Sequence, residues 1–196
     1  MMQVLQELKH LKINKNFMIS VQHPWHVYIG DKAPEIINAI IEIPKNSSMK
    51  YELEKTSGLL KLDRVLYSAV HYPMNYGLVP QTYFEDGDPL DILVMCSMDI
   101  EPLCIVEARV IGIMRMKDEN GLDDKIVSVA DKDPAYMHIN DIEDIPKHTL
   151  NELKNFFEYY KVLEDKKVEV GELLGKEQAY QCITDSMKLY QEKFSK

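Results

Sequence analysis

The chain has 196 residues, of which 45% are hydrophobic and 28% are charged, and its formal net charge is −9. These values are typical of a soluble globular protein with one full core. The acidic balance disfavours a nucleic-acid partner, and no apolar run approaches the ~20 residues of a membrane span. We also find no signal-peptide pattern. Three scattered cysteines without CxxC spacing, Cys96, Cys104 and Cys182, indicate a reducing, cytoplasmic compartment without zinc or disulfides.

Short apolar segments separated by turn residues fill the first two thirds of the chain. The run IINAIIEI at 36–43 is rich in β-branched residues and predicts a buried strand. Segments spaced about ten residues apart with turn signals between them favour a closed β-barrel. We predict the further strands at 49–53, 59–62, 76–79, 92–95, 104–116 and 126–129.

The apolar period changes to that of a helix beyond Pro146. One helical face carries Leu150, Leu153, Phe156, Phe157, Tyr160 and Leu163, and Asp144 is the candidate N-cap. A second amphipathic helix is predicted at about 177–194, with a stripe of Ile183, Met187, Tyr190 and Phe194. We expect these helices to cover the barrel, which gives an α+β architecture.

Two acidic clusters point to bound cations. Residues 85–91 and residues 118–124 each contain four carboxylates in seven positions, where the composition predicts about one. Like charges this close repel each other unless a cation neutralises them, and oxygen ligands suit Mg²⁺. A single acidic loop between strands is usually a solvated turn. Two such loops that meet at one end of a sheet could share more than one cation, as in phosphoryl-transfer hydrolases.

Cationic and phenolic residues suited to a small polyanion accompany these acids. Arg64 offers a guanidinium, the natural bidentate partner of phosphate. Each such residue alone is more often a solvated charge or a half-buried core residue, so their weight comes from coexisting with the acidic clusters. The candidates are Lys50, Arg64, Tyr72, Tyr76, Tyr160 and Lys161.

The combined motifs resemble those of the soluble family I inorganic pyrophosphatases, and the run Asp86-Gly87-Asp88-Pro89-Leu90-Asp91 is similar to that family's defining motif. The resemblance covers about residues 23–170, so we expect a single domain of this family over 1–196, with peripheral extensions at 1–20 and 176–196. The other similar motifs are Glu42-Ile43-Pro44, Lys50-Tyr51-Glu52, Asp63-Arg64, Tyr72-Pro73-Met74-Asn75-Tyr76-Gly77, Asp118-Glu119 with Asp123 and Lys125, and residues 156–161.

The resemblance implies a small closed OB-like barrel of five strands with flanking helices. It also implies hydrolysis of pyrophosphate to two phosphates by a metal-activated water, with Asp88 as general base and no covalent intermediate. Two or more Mg²⁺ ions would bind per site, and the protein would be a homo-oligomer, with hexamers known in the family. The implied metal residues are Asp86, Asp91, Asp118, Asp123 and Glu42, the substrate residues Lys50, Arg64, Tyr76, Lys125, Tyr160 and Lys161, and the supporting residues Glu52 and Tyr72.

Three alternatives carry less weight. An EF-hand beginning at Asp86 would need Gly at its sixth position and Glu at its twelfth, where Asp91 and Ser97 stand. An OB-fold that binds single-stranded nucleic acid would need a basic groove with stacking aromatic residues. A metal-dependent nucleotide phosphohydrolase is the best enzymatic alternative, but the chain has no Gly-rich phosphate loop.

Overall fold

The computed structural model describes residues 23–119 and 121–194, and it confirms every predicted strand to within three residues at either end. Two further strands, at 121–122 and 169–175, were not predicted. The strands are β1 (Ile36–Ile43), β2 (Met49–Leu53), β3 (Leu60–Val65), β4 (Asn75–Leu78), β5 (Asp91–Met95), β6 (Ile105–Asp118), β7 (Gly121–Leu122), β8 (Lys125–Ala130) and β9 (Glu169–Gly175). The helices are α1 (Lys147–Tyr159) and α2 (Lys176–Phe194).

Five strands close a ring within one mixed sheet. Strand β1 pairs with β4, β4 with β5, β8 with β6, and β6 with β1, all antiparallel, whereas β5 and β8 are parallel. Strands β7 and β9 pair with β6 outside the ring. A separate hairpin is formed by β2 and β3. The ring of five strands agrees with the number that the family resemblance implies.

The ring strands are buried on both faces, which explains their continuous apolar runs. In β5, Leu93 packs in one core cluster with α1 residues, while its neighbours Ile92 and Val94 pack in a second cluster with α2 residues. Fully burying each such side chain contributes roughly 1.5–3 kcal/mol. Gly77 allows β4 to lie against β1, because an added Cβ there would be 1.9 Å from the Ile40 carbonyl oxygen.

Both predicted helices are present, but the predicted cap of α1 is wrong. Pro146 is the N-cap residue of α1 and makes no side-chain cap hydrogen bond. Asp144 instead closes a capping box with Asp141 around the preceding 3-10 turn, because its carboxylate accepts from the backbone N–H groups of Asn140 and Asp141. Within residues 23–119 and 121–194, no helix is long and apolar enough to cross a membrane.

Strand β9 was missed because its sequence lacks a strand pattern. Gly171 and Gly175 interrupt it, and Glu169 and Glu172 are charged, all of which are depleted in strands. It forms through its backbone pairing with β6, where Met114 lies opposite Leu173 and Met116 opposite Val170. Tertiary pairing therefore overrides local preference here.

Candidate active site

A cavity of about 420 Å³ is lined by every residue that the sequence analysis assigned to metal binding, substrate binding, support or catalysis. Asp91 begins β5, Lys125 begins β8 and Asp118 ends β6, so neighbouring strand ends deliver opposite charges to one place. The predicted residues that line it are Glu42, Lys50, Glu52, Arg64, Tyr72, Tyr76, Asp86, Asp88, Asp91, Asp118, Asp123, Lys125, Tyr160 and Lys161.

A buried lysine lies at the centre of this cavity. The Lys125 side chain is 2% exposed, and its Nζ donates to Asp91 Oδ2 at 2.7 Å and to Asp123 Oδ1 at 2.8 Å. The Tyr76 hydroxyl donates to the same oxygen of Asp91. Burial alone would lower the pKa of Lys125, but Asp91 and Asp123 outweigh it and raise that pKa. Lys125 is therefore a fixed positive charge among carboxylates.

A second lysine pairs with the other acidic loop. Lys161 follows α1, and its Nζ lies 2.8 Å from Asp118 Oδ2 and 3.5 Å from Glu119 Oε2. Lys166 Nζ lies 2.9 Å from Glu119 Oε1, and this hydrogen bond is the main reason that the pKa of Glu119 is lowered to about 2. The turn after α1 is thus linked to the end of β6.

One terminal nitrogen of the Arg64 guanidinium has no hydrogen-bond partner among the described residues. Its Nε donates to Glu164 Oε1 at 2.8 Å, and its Nη1 donates to Asp63. Its Nη2 is buried and has no hydrogen-bond partner among the described residues. On the neighbouring strand, Lys50 forms an ion pair with Glu52. A buried donor without a partner costs about 1–3 kcal/mol, so the Nη2 nitrogen of Arg64 is suited to an anionic ligand.

The Asp86–Asp88 segment forms a tight turn at the cavity rim. The Asp86 Oδ1 atom accepts from the Asp88 backbone N–H at 3.0 Å, and Gly87 between them has φ +86°, a conformation that favours glycine. The Asp88 carboxylate forms an ion pair with Lys55, which reaches over from the β2–β3 hairpin. The turn thus presents both carboxylates at one place.

Three carboxyl groups of the cavity hold their protons more tightly than usual. Burial, followed by the charge of Asp91, raises the pKa of Glu42 to about 8. Burial is also the largest cause of the raised pKa values of Asp86 and Asp123. Burial therefore favours the protonated form of these carboxyl groups, and the charge of Asp91 adds to this effect at Glu42.

The chemistry of these oxygen donors fits a hard divalent cation such as Mg²⁺, which would restore the ionised carboxylates. Within residues 23–119 and 121–194, no three His, Cys, Asp or Glu side chains are already arranged as a metal site. Lys125 lies between Asp91 and Asp123 instead. The assignment of individual carboxylates to individual ions stays a prediction.

Three phenols of the cavity pack against aromatic rings, and the ring centroids of Tyr72 and Tyr76 are 5.5 Å apart. The ring centroids of Tyr72 and Phe156 are 4.8 Å apart, and those of Phe157 and Tyr160 are 5.5 Å apart. Burial raises the pKa values of Tyr72, Tyr76 and Tyr160 well above the ordinary tyrosine value. These hydroxyls therefore remain protonated and can serve as hydrogen-bond donors.

Several residues at this site were not predicted from the sequence. Lys55 and Lys166 line the cavity, and Glu164 contacts Arg64 from a position 100 residues away. Lys55 carried a weak signal, because it lies in a turn three residues after Glu52. Glu164 carried almost none, since only the fold brings its turn to β3.

A cavity that combines carboxylates with lysines, an arginine and protonated phenols is typical of enzymes that act on phosphoric anhydrides. Comparisons with known proteins make the family explicit. Residues 39–191 match the profile of the inorganic pyrophosphatase family.

Both the sequence and the fold are similar to those of known proteins. A soluble inorganic pyrophosphatase of Oryza sativa subsp. indica is 51% identical over 169 residues, which cover 86% of this chain and 79% of the relative. Soluble inorganic pyrophosphatase 2 of Chlamydomonas reinhardtii is 47% identical over 176 residues, covering 89% and 92%. The crystal structure of inorganic pyrophosphatase from Thermus thermophilus superposes with a TM-score of 0.84 at 39% identity, over 87% of this chain and 99% of that one.

The chain therefore belongs to the family of soluble inorganic pyrophosphatases. This membership makes it an inorganic diphosphatase by class, as the motifs of the sequence predicted.

Proposed function

We propose that this protein hydrolyses inorganic pyrophosphate to two phosphates in a reaction that depends on Mg²⁺. The observation that carries the proposal is the cavity itself, where Arg64, whose Nη2 has no partner among the described residues, and the donors Lys50, Lys125 and Lys161 line the same space as the carboxylates. Its volume of about 420 Å³ is at the lower end of the ~300–1,000 Å³ range of ligand sites, which favours a small polyanion.

In this proposal Asp86, Asp91 and Asp123 would hold one Mg²⁺, Asp91 would also contribute to a second, and Asp118 with Asp123 would hold metal that arrives with the substrate, assisted by Glu42. Mg²⁺ would supply charge neutralisation and lower the pKa of a water molecule, and in this proposal that water attacks phosphorus directly, without a covalent intermediate.

The residues of the chain supply position and proton transfer. Asp88 accepts the proton of the attacking water as general base. The substrate oxygens are held by Lys50, Arg64, Tyr76, Lys125, Tyr160 and Lys161, with Glu52 and Tyr72 as support. Cations and protonated phenols around the leaving phosphate stabilise the charge that develops on it.

The proposal includes the assembly and the surroundings of the protein. The five-strand ring supports an OB-like barrel. A homo-oligomer, with a hexamer as the family expectation, is part of the proposal. The proposal includes a cytoplasmic location and excludes nucleic-acid and membrane partners. Light scattering would give the mass of the assembly, and a monomer would contradict this part.

Phosphate release measured with two substrates tests the function. Pyrophosphate with Mg²⁺ should be hydrolysed rapidly, whereas ATP with Mg²⁺ and pyrophosphate without Mg²⁺ should give little phosphate. Faster release from ATP than from pyrophosphate would favour a nucleotide phosphohydrolase and contradict the proposal.

A further inference from the structure

Aromatic side chains from both ends of the described chain meet at one place. We define the terminal aromatic cluster as Trp25, His26, Tyr83, Tyr190 and Phe194. The Trp25 and Tyr83 rings are stacked with an interplanar angle of 2°, and the Phe194 ring meets the Trp25 ring edge-on at 5.4 Å between centroids. The Tyr190 hydroxyl and His26 Nδ1 are hydrogen-bonded at 2.6 Å. The end of α2 is thereby fixed to the segment before β1.

Hydrogen bonds attach this cluster to the chain just before the Asp86–Asp88 turn. Trp25 Nε1 donates to the Thr82 carbonyl oxygen at 2.7 Å, and the Tyr83 backbone N–H donates to the Ser186 carbonyl oxygen of α2 at 3.0 Å. The Thr82 hydroxyl accepts from the Leu90 N–H at 2.9 Å. The segment that carries the acidic turn is therefore held at both of its ends.

The attachment continues into the turn itself. A Cβ added at Gly87 would lie 3.4 Å from the Tyr83 hydroxyl oxygen, so the tyrosine ring reaches the residue between the two carboxylates. The Phe84 N–H donates to the Asp88 carbonyl oxygen at 2.8 Å, and the Gly87 N–H donates to the Phe84 carbonyl oxygen at 3.0 Å. The positions of Tyr83 and Phe84 therefore determine the positions of Asp86 and Asp88.

We propose that the terminal aromatic cluster positions the acidic turn for catalysis, with Phe194, Trp25 and Tyr83 as positioning residues. This inference rests on the proposed function, in which Asp86 binds metal and Asp88 is the base. It assigns a catalytic purpose to the last turn of α2, which lies far from the reacting atoms in sequence. Partners that orient metal ligands typically contribute about 10- to 100-fold in affinity or activity.

Steady-state kinetics of the full chain provide the first test. Phe194→Ala should lower kcat by up to about tenfold and raise the Mg²⁺ concentration for half-maximal activity several-fold. The KM for pyrophosphate should change little, because Lys50, Arg64 and Lys161 lie on other elements. Phe194→Tyr keeps the ring and should restore both values.

A matched control lies on the same helix. Leu189 is 42% exposed and Phe194 is 41% exposed, so Leu189→Ala removes a comparable side chain outside the cluster. A Phe194→Ala protein with a lower melting temperature but the kcat and Mg²⁺ dependence of Leu189→Ala would overturn the inference, since the cluster would then only pack.

Fluorescence provides a second test that needs no turnover. Trp25 is the single tryptophan of the chain, and it stacks on Tyr83, three residues before Asp86. Adding Mg²⁺ alone to the wild-type protein should change its emission, and Phe194→Ala should shift the midpoint of that change to higher Mg²⁺. If the wild-type protein fails to hydrolyse pyrophosphate, the proposed function is wrong. The Mg²⁺ titration then tests by itself whether the terminal aromatic cluster positions the acidic turn. Identical midpoints in both proteins would overturn the inference that it does.

Discussion

Asp88 differs from most acids of the cavity, because its side chain is 44% exposed and forms an ion pair with Lys55. Replacing it by Asn removes charge and basicity but keeps the size of the side chain. We expect Asp88→Asn to fold, to bind Mg²⁺ and pyrophosphate, and to lose roughly 100- to 10,000-fold in turnover.

Melting temperature and turnover measured on one Asp88→Asn sample separate chemistry from structure. The backbone hydrogen bond from Phe84 to the Asp88 carbonyl oxygen is unaffected by the substitution, so the turn should survive. A variant that melts early yet keeps wild-type turnover would contradict the role of Asp88 as base.

Arg64 donates to Glu164, and in the proposed function Arg64 binds the substrate while Glu164 holds Arg64 in position. Arg64→Ala should lower kcat/KM about 10- to 100-fold, because a charge-assisted contact to phosphate is lost. Glu164→Ala should raise the KM for pyrophosphate several-fold, since the guanidinium loses the acceptor of its Nε. Glu164→Gln retains an acceptor and serves as control. An unchanged KM in Glu164→Ala would show that Asp63 alone orients Arg64.

Among the elements, the 3-10 turn at Pro134–Tyr136 depends on an ionised cap. The Asp133 carboxylate accepts from the backbone N–H groups of Ser97 at 2.7 Å and of Ala135 at 2.9 Å. These hydrogen bonds, the one from Ser97 first, lower the pKa of Asp133 to about 2. Asp133 therefore ties the turn to the chain after β5.

Because that pKa lies below the value of about 4 in an unfolded chain, the ionised form stabilises the fold. The stabilisation is fully present above pH ~4 and is lost as the pH falls through about 2. Asp133→Asn should melt at a lower temperature than the wild-type protein at neutral pH. Its melting temperature should also fall less than that of the wild type as the pH is lowered. Thermal melts of both proteins at several pH values test this, and parallel curves would contradict it.

Elements with continuous apolar runs were predictable, and elements built by tertiary pairing were not. The run at 36–43 became β1 with the expected bounds, because burial on both faces leaves a clear sequence pattern. Strand β9 was not predicted, because its glycines and acidic residues hide the strand pattern. The cap of α1 was predicted wrongly, because Asp144 caps the 3-10 turn that precedes the helix. The acids of the site were visible by their density, whereas Glu164 is recruited from a distance that no local pattern encodes.

For the whole molecule, divalent metal should couple activity to stability. Chelation should abolish pyrophosphate hydrolysis and lower the melting temperature, because a ligand that binds the native state stabilises it by mass action. Mg²⁺ should restore both, and Ca²⁺ should support turnover less well, since it takes a larger and looser ligand shell.

Calorimetry and phosphate release with and without chelator measure these two effects. A crystal grown with Mg²⁺ should show an ion ~2.1 Å from carboxylate oxygens of Asp86, Asp91 and Asp123. Full activity after exhaustive chelation would contradict the metal site.

The parallel pairing of β5 with β8 also bears on how the protein folds. It sets Asp91 opposite Lys125, 34 residues apart along the chain, and both strands need their other neighbours before the ring can close. Contacts of such long sequence separation form slowly, because loop entropy is lost before they contribute. We therefore expect the central ion pair of the cavity to form late in folding, and catalytic competence to return in a late phase of refolding.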